Sequence, residues 1–150
     1  MNKGFAGFPA GQIRSTSIPN SFFSDLLPAI DHLGELKVTL YALWSLAHSE
    51  AEFPYLTRQQ MIEDRLLMEG FDRSPSSAEE ILDDSLERSV ARGSLLKASL
   101  ELEQGSQELY FFNDPQGQAA LSALEKGSWR PSGEPEAPVE LRIERPNIFN

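Results

Sequence analysis

The sequence predicts a mainly α protein with a small β-hairpin: an α+β, winged helix-turn-helix domain with an N-terminal arm and an extra C-terminal helix. Three observations predict it. A helical pattern beginning at Ser76 or Ser77 stops at Arg92-Gly93, and an alternating strand follows at once. Gln104-Gly105-Ser106 then turns the chain, and a second apolar run from Leu109 to Phe112 returns. Upstream, further helical stretches occupy the places of the earlier helices, so the helix from Ser76 stands where a recognition helix would. The chain of 150 residues, 40% hydrophobic and 24% charged, suffices for one domain with a core plus tails. Its division is expected as an extended arm over 1–20, a winged-helix domain over 21–127, and a Pro-rich linker and tail over 128–150.

Each element has its own signal. The arm sets Phe5, Phe8, Pro9 and Pro19 among glycines and serines, which no regular helix tolerates. Two exposed phenylalanines want a surface, either their own domain or a partner subunit. Ser21 to Ile30 reads as a short helical piece limited by Pro28. Leu33 to His48 is apolar nearly all round and reads as the buried central helix. Phe53, Tyr55 and Leu56 around Pro54 suit a short edge strand. Thr57-Arg-Gln-Gln60 matches a capping box and starts the second helix. Asp64 to Arg73, interrupted by Gly70, reads as an elongated turn. The third helix carries Ala78, Ile81, Leu82, Ser85, Leu86, Ser89 and Val90 on one face. Leu96, Ala98, Leu100 and Leu102 alternate with polar residues, a half-buried strand. Asp114-Pro115 caps and opens a closing helix that Gly127 ends. Ser128 to Glu140, with Pro131, Pro135 and Pro138, reads as linker.

Composition narrows the function. A net charge of -10 confines any nucleic-acid contact to a local patch. The absence of cysteine excludes disulfides, thiolate metal sites and a cysteine nucleophile, and suits a reducing cytoplasm. The N-terminal residues lack the apolar run of a signal peptide, and nothing approaches a membrane span. His32 and His48 lie on different elements without metal-ligand spacing and read as packing or surface residues. Gly4, Gly7 and Gly11 fit no phosphate-binding fingerprint, and the acidic pairs Glu79-Glu80 and Asp83-Asp84 read as a solvated face. No catalytic residue, metal or cofactor is expected, and the protein reads as a non-enzyme.

DNA binding is the natural use of a winged helix, but the third helix sets Glu79, Glu80, Asp83, Asp84 and Glu87 against only Arg88 and Arg92. A unit charge about 10 Å from a phosphate is worth roughly 0.4 kcal/mol in water, so an excess of three acids opposes binding by about a kcal/mol per nearby phosphate. Protein contact therefore leads. The returning strand is apolar on both faces, which requires either the chain's own core on both sides or a second subunit on one. A homodimer through Phe5, Phe8, Tyr110 and Phe112 is the preferred second case. The alternative is a transcription regulator whose Arg88, Arg92 and Lys97 meet phosphates as a dimer spans two half-sites. A small adaptor with no DNA role is the third reading.

Three stretches, Ile18-Pro-Asn-Ser-Phe-Phe-Ser-Asp-Leu-Leu-Pro28, Glu35-Leu-Lys-Val-Thr-Leu-Tyr41 and Leu86 to Leu96, resemble the N-terminal winged-helix domain of DnaD-like primosomal replication proteins. Arg145-Pro-Asn-Ile-Phe149 looks like the lead-in to that family's second, helical domain. The resemblance implies a fragment: an oligomerisation module for replication initiation or restart, partnered by the helicase or its loader. It also implies that DNA contact falls mainly to a second domain outside this chain. The stretch from Asp64 to Ser74 is longer than the family's usual turn.

Overall fold

In a computed structural model that describes residues 4–102, 105–131 and 140–144, the chain adopts the predicted α+β, winged-helix-like class. A π-type turn, Phe22–Leu26, runs into a 3-10 turn, Leu27–Ala29, and then into helix α1, Leu33–Ala47. Strand β1 is Leu56–Thr57, and its second residue caps helix α2, Arg58–Ile62. The expected capping box is present: Gln60 N donates to Thr57 Oγ1 at 3.0 Å, and Thr57 N donates to Gln60 Oε1 at 2.8 Å.

The stretch expected to be an elongated turn contains helix α3, Arg65–Phe71. Asp64 supplies the cap, its Oδ1 accepting from Leu67 N at 3.2 Å. Gly70 falls in the last turn, where glycine's helix penalty of about 1 kcal/mol is absorbed by Leu67 entering the core. Helix α4, Pro75–Arg92, begins earlier than its serines suggested, with Ser74 at the cap and Pro75 at the first position. It ends as expected at Gly93, whose φ of 96° is left-handed and costs a residue with a Cβ dearly. Strands β2, Leu95–Leu102, and β3, Gly105–Phe112, form the hairpin, and helix α5, Pro115–Lys126, follows on the Asp114 cap. Gln104 of the expected turn lies outside the described residues.

The sheet is four-stranded in the order β1-β3-β2-β4, with all pairs antiparallel. Its fourth strand, β4 at Glu140–Glu144, corrects the expectation of linker and tail over 128–150. Leu141 and Ile143 gain a place in an apolar layer when they pair with Leu100 and Ala98 of β2. The rest of the expected linker, 132–139, and the lead-in at 145–149 lie outside the described residues.

The sheet separates two apolar layers. On one side Leu95 and Tyr110 join Val38, Met61, Leu67, Leu82 and Leu86 from the helices α1 to α4. On the other, Leu96, Ala98, Leu100, Leu109 and Phe111 pack on Ala120, Leu121 and Leu124 of α5, with Phe53, Tyr55 and Trp129 at the margin. Period two in β2 and β3 produces this split, and the register sets Leu96 against Phe111 and Ala98 against Leu109. The returning strand is therefore covered on both faces by its own chain.

Helix α1 is not buried all round. Its inner face is Gly34, Glu35, Val38, Thr39, Ala42 and Leu43, while Leu33 and Trp44 are 65% and 52% exposed. Small residues win the inner positions because α1 lies close against α4. A Cβ on Gly34 would stand 2.3 Å from Ser85 Oγ, and Thr39 Oγ1 lies 3.3 Å from Ser89 Oγ. Leu33 and Trp44 are left on the outer face.

Candidate interaction surfaces

A winged helix meets other molecules through its third main helix and its wing, here α4 and the β2-β3 hairpin. Five carboxylates and two guanidiniums decorate α4, and the structure pairs many of them within the chain. Arg58, at the start of α2, grips Asp83 with both edges of its guanidinium: Nε donates to Oδ1 at 2.7 Å and Nη2 to Oδ2 at 2.9 Å. The same Nη2 donates to Glu79 Oε1 at 2.8 Å. These bonds, Asp83's foremost, raise the Arg58 pKa against the opposing effect of burial. Arg88 donates to Asp84 at 3.2 Å, one turn back. Glu80 and Glu87 form no ion pair among the described residues.

Arg92 turns inward. Its Nε bonds Glu35 Oε2, and its Nη2 donates to Glu35 Oε1 at 3.1 Å. Glu35 is fully buried on α1, and its bond raises the Arg92 pKa. A neighbouring contact orients the start of α1: Glu35 N donates to His32 Nδ1 at 3.0 Å, capping the helix. That leaves the hydrogen on His32 Nε2, which faces Asp84 Oδ2 at 3.3 Å.

Lys97 sits in the sheet beside the hairpin's acids. Its Nζ lies 3.0 Å from Glu108, 3.5 Å from Glu144 and 5.7 Å from the centre of the Tyr110 ring. Burial alone would lower its pKa, but the Glu108 bond and the surrounding groups carry it up to about 12. Between α4 and this face of the sheet runs a cleft of ≈ 590 Å³, based on Lys97 and Tyr110 and walled by Asp83, Glu87, Glu108 and Glu144. Four carboxylates outnumber two cations, Arg58 and Lys97, in the groove between α4 and the hairpin. The three cations that the regulator reading offers to phosphate, Arg88, Arg92 and Lys97, each hold a carboxylate of this chain instead.

Comparisons with protein-family models, with curated proteins and with solved structures find no match.

The four residues expected at a subunit contact divide. Tyr110 is only 4% exposed, and Phe112 is half-buried against the same apolar layer, so its own core takes up Tyr110 and part of Phe112. Of the two alternatives for the returning strand, its own core covers Tyr110, while Phe112 still borders a cleft. Phe5 and Phe8 are 73% and 85% exposed and meet edge to face at 5.0 Å. Among the described residues of the arm, only the inner end docks. Thr16 Oγ1 shares a hydrogen bond of 3.0 Å with His48 Nε2, and Ser17 and Pro19 border a cleft of ≈ 190 Å³ beside Leu43, Leu46 and Phe112. Phe22 then enters the core. Sequence reasoning missed Glu35 and Arg58: a glutamate in a first helical turn looks like a dipole contact, and an arginine after a cap looks solvated.

Proposed function

We propose that this chain is a non-enzymatic winged-helix module that self-associates and contacts other proteins within a DnaD-like replication initiation or primosome assembly in the cytoplasm. The observation that carries this reading is the engagement of Arg88, Arg92 and Lys97 by carboxylates of the same chain. A phosphate approaching α4 meets Glu80 and Glu87 before it meets a free cation, and the regulator must first break three ion pairs. The exposed Phe5 and Phe8 supply what a protein contact wants: aromatic area on a segment whose base is already anchored at Thr16. Its partners would be a second copy and the helicase or its loader, with DNA reached mainly through a further domain.

Light-scattering mass of the chain, with and without residues 1–17, tests the reading. The full chain should exceed the mass of one copy, and removal of the arm should lower it. A single-copy mass in both forms would remove the proposal. Sequence-preferring duplex binding with a steep loss on added salt would put the regulator in its place.

A further inference from the structure

Among the described residues β4 is an edge of the sheet, hydrogen-bonded to β2 on one side and to no strand on the other. A free edge leaves alternate backbone N–H and C=O groups open, and proteins commonly guard such edges with charge. Charges of a single sign repel a second copy. Here they alternate in sign: Glu140, Arg142 and Glu144 are all exposed on one face, while Leu141 and Ile143 are half-buried toward α5. Arg142 lies opposite Ser99 and forms no ion pair among the described residues. Glu140 lies opposite Glu101, a like-charge pair that costs stability. Glu144 is already engaged by Lys97.

An antiparallel pair of identical strands has a two-fold axis normal to the sheet, and opposed residues then share a face. An axis through Arg142 would set Arg142 against Arg142 and Glu140 against Glu144, both repulsive. An axis through Ile143 would draw Arg142 to Glu144, in competition with Lys97. An axis through Leu141 sets Glu140 against Arg142 twice and Leu141 against Leu141.

We propose that β4 pairs antiparallel with β4 of a second copy about an axis at Leu141, joining the two four-stranded sheets and matching each Glu140 with the other chain's Arg142. This rests on the self-association proposed above and adds to the arm a second surface on which two copies meet. The Leu141 side chains meet on the α5 side, so the two outer apolar layers become continuous.

Charge reversal in the full chain tests it, with light-scattering mass read over a dilution series. Arg142→Glu and Glu140→Arg each place like charges opposite one another twice, and each should raise the dimer's dissociation midpoint about ten-fold or more. An equimolar mixture of the two variants restores both opposite-charge pairs and should return the midpoint to the wild-type value. That recovery also shows that both variants fold. A wild-type chain of single-copy mass throughout would overturn this pairing together with self-association. A wild-type assembly that neither variant weakens, or that both weaken without recovery on mixing, would overturn the β4 pairing alone.

Discussion

Glu35 joins α1 to α4 through a buried charge. Its carboxylate is fully enclosed, whereas the Arg92 side chain keeps 28% of its surface. Removing one partner of a fully buried pair costs about 3–5 kcal/mol; Arg92 can still reach water, so Glu35→Ala should cost about 2 kcal/mol, seen as a lower urea midpoint at unchanged slope. One residue earlier, Gly34→Ala would drive a methyl to 2.3 Å from Ser85 Oγ and 3.2 Å from Ile81, an overpacking worth about 1–3 kcal/mol. Ser85 Oγ is buried without a hydrogen-bond partner among the described residues, so Ser85→Ala should be neutral or stabilising. The double variant should lose less than the two separate changes sum to; strict additivity in denaturant melts would contradict the close contact. The spacing of Ser85 and Ser89 with Leu82 and Leu86 put both serines on the inner face of α4 in advance. Nothing in the spacing marks Glu35, because its burial depends on which helix crosses it.

Helix α5 sets where the hairpin ends. Helix α5 starts against the end of β3 so closely that a Cβ on Gly117 would stand 1.9 Å from the Phe112 carbonyl oxygen. Backbone cannot yield as a side chain can, so Gly117→Ala should cost about 2 kcal/mol or more and lower the melting temperature of the whole domain. Within the sheet, burial pushes the Tyr110 hydroxyl from 10.0 up to about 12, and Lys97 beside it is also raised to about 12. On α1, burial and the bond to Asp64 take Tyr41 to about 12 as well. All three hold their protons more tightly folded than unfolded. Their contribution is thus complete below about pH 10 and is lost as pH rises through about 12. Tyr110→Phe keeps the ring and removes one titrating group, so its stability should fall less steeply than wild type across that window in pH-stepped urea melts. A parallel loss in both would contradict the burial of the Tyr110 hydroxyl. Caps and stops at Thr57, Gly93, Asp114 and Gly127 were legible in the sequence because each acts within a turn of itself. Helix α3 was missed because Asp64 looked like part of a loop until Leu67 had a core to enter.

For the whole molecule, the charge distribution separates the two main readings. With a net charge of -10 and the cations beside the groove engaged, binding of random duplex should be undetectable at about 50 mM salt by anisotropy, where a DNA-reading winged helix binds measurably. Phe5→Ala combined with Phe8→Ala should lower the mass of the assembly without changing the urea midpoint taken at a dilution where the wild type is a single copy, because both rings stand in solvent. A shift in the midpoint would mean that they pack on their own domain after all. By itself the sequence determined the α+β class, the order of most elements, their local ends and the acidic outer face of α4. Those depend on residue spacing, local capping chemistry and charge, which the chain carries whatever it touches. Only the tertiary structure decided that both faces of β3 are covered, that Arg92 and Lys97 are engaged internally, and that β4 adds a strand to the sheet. Each of these brings together residues far apart in the chain, and no local periodicity records which surfaces will meet.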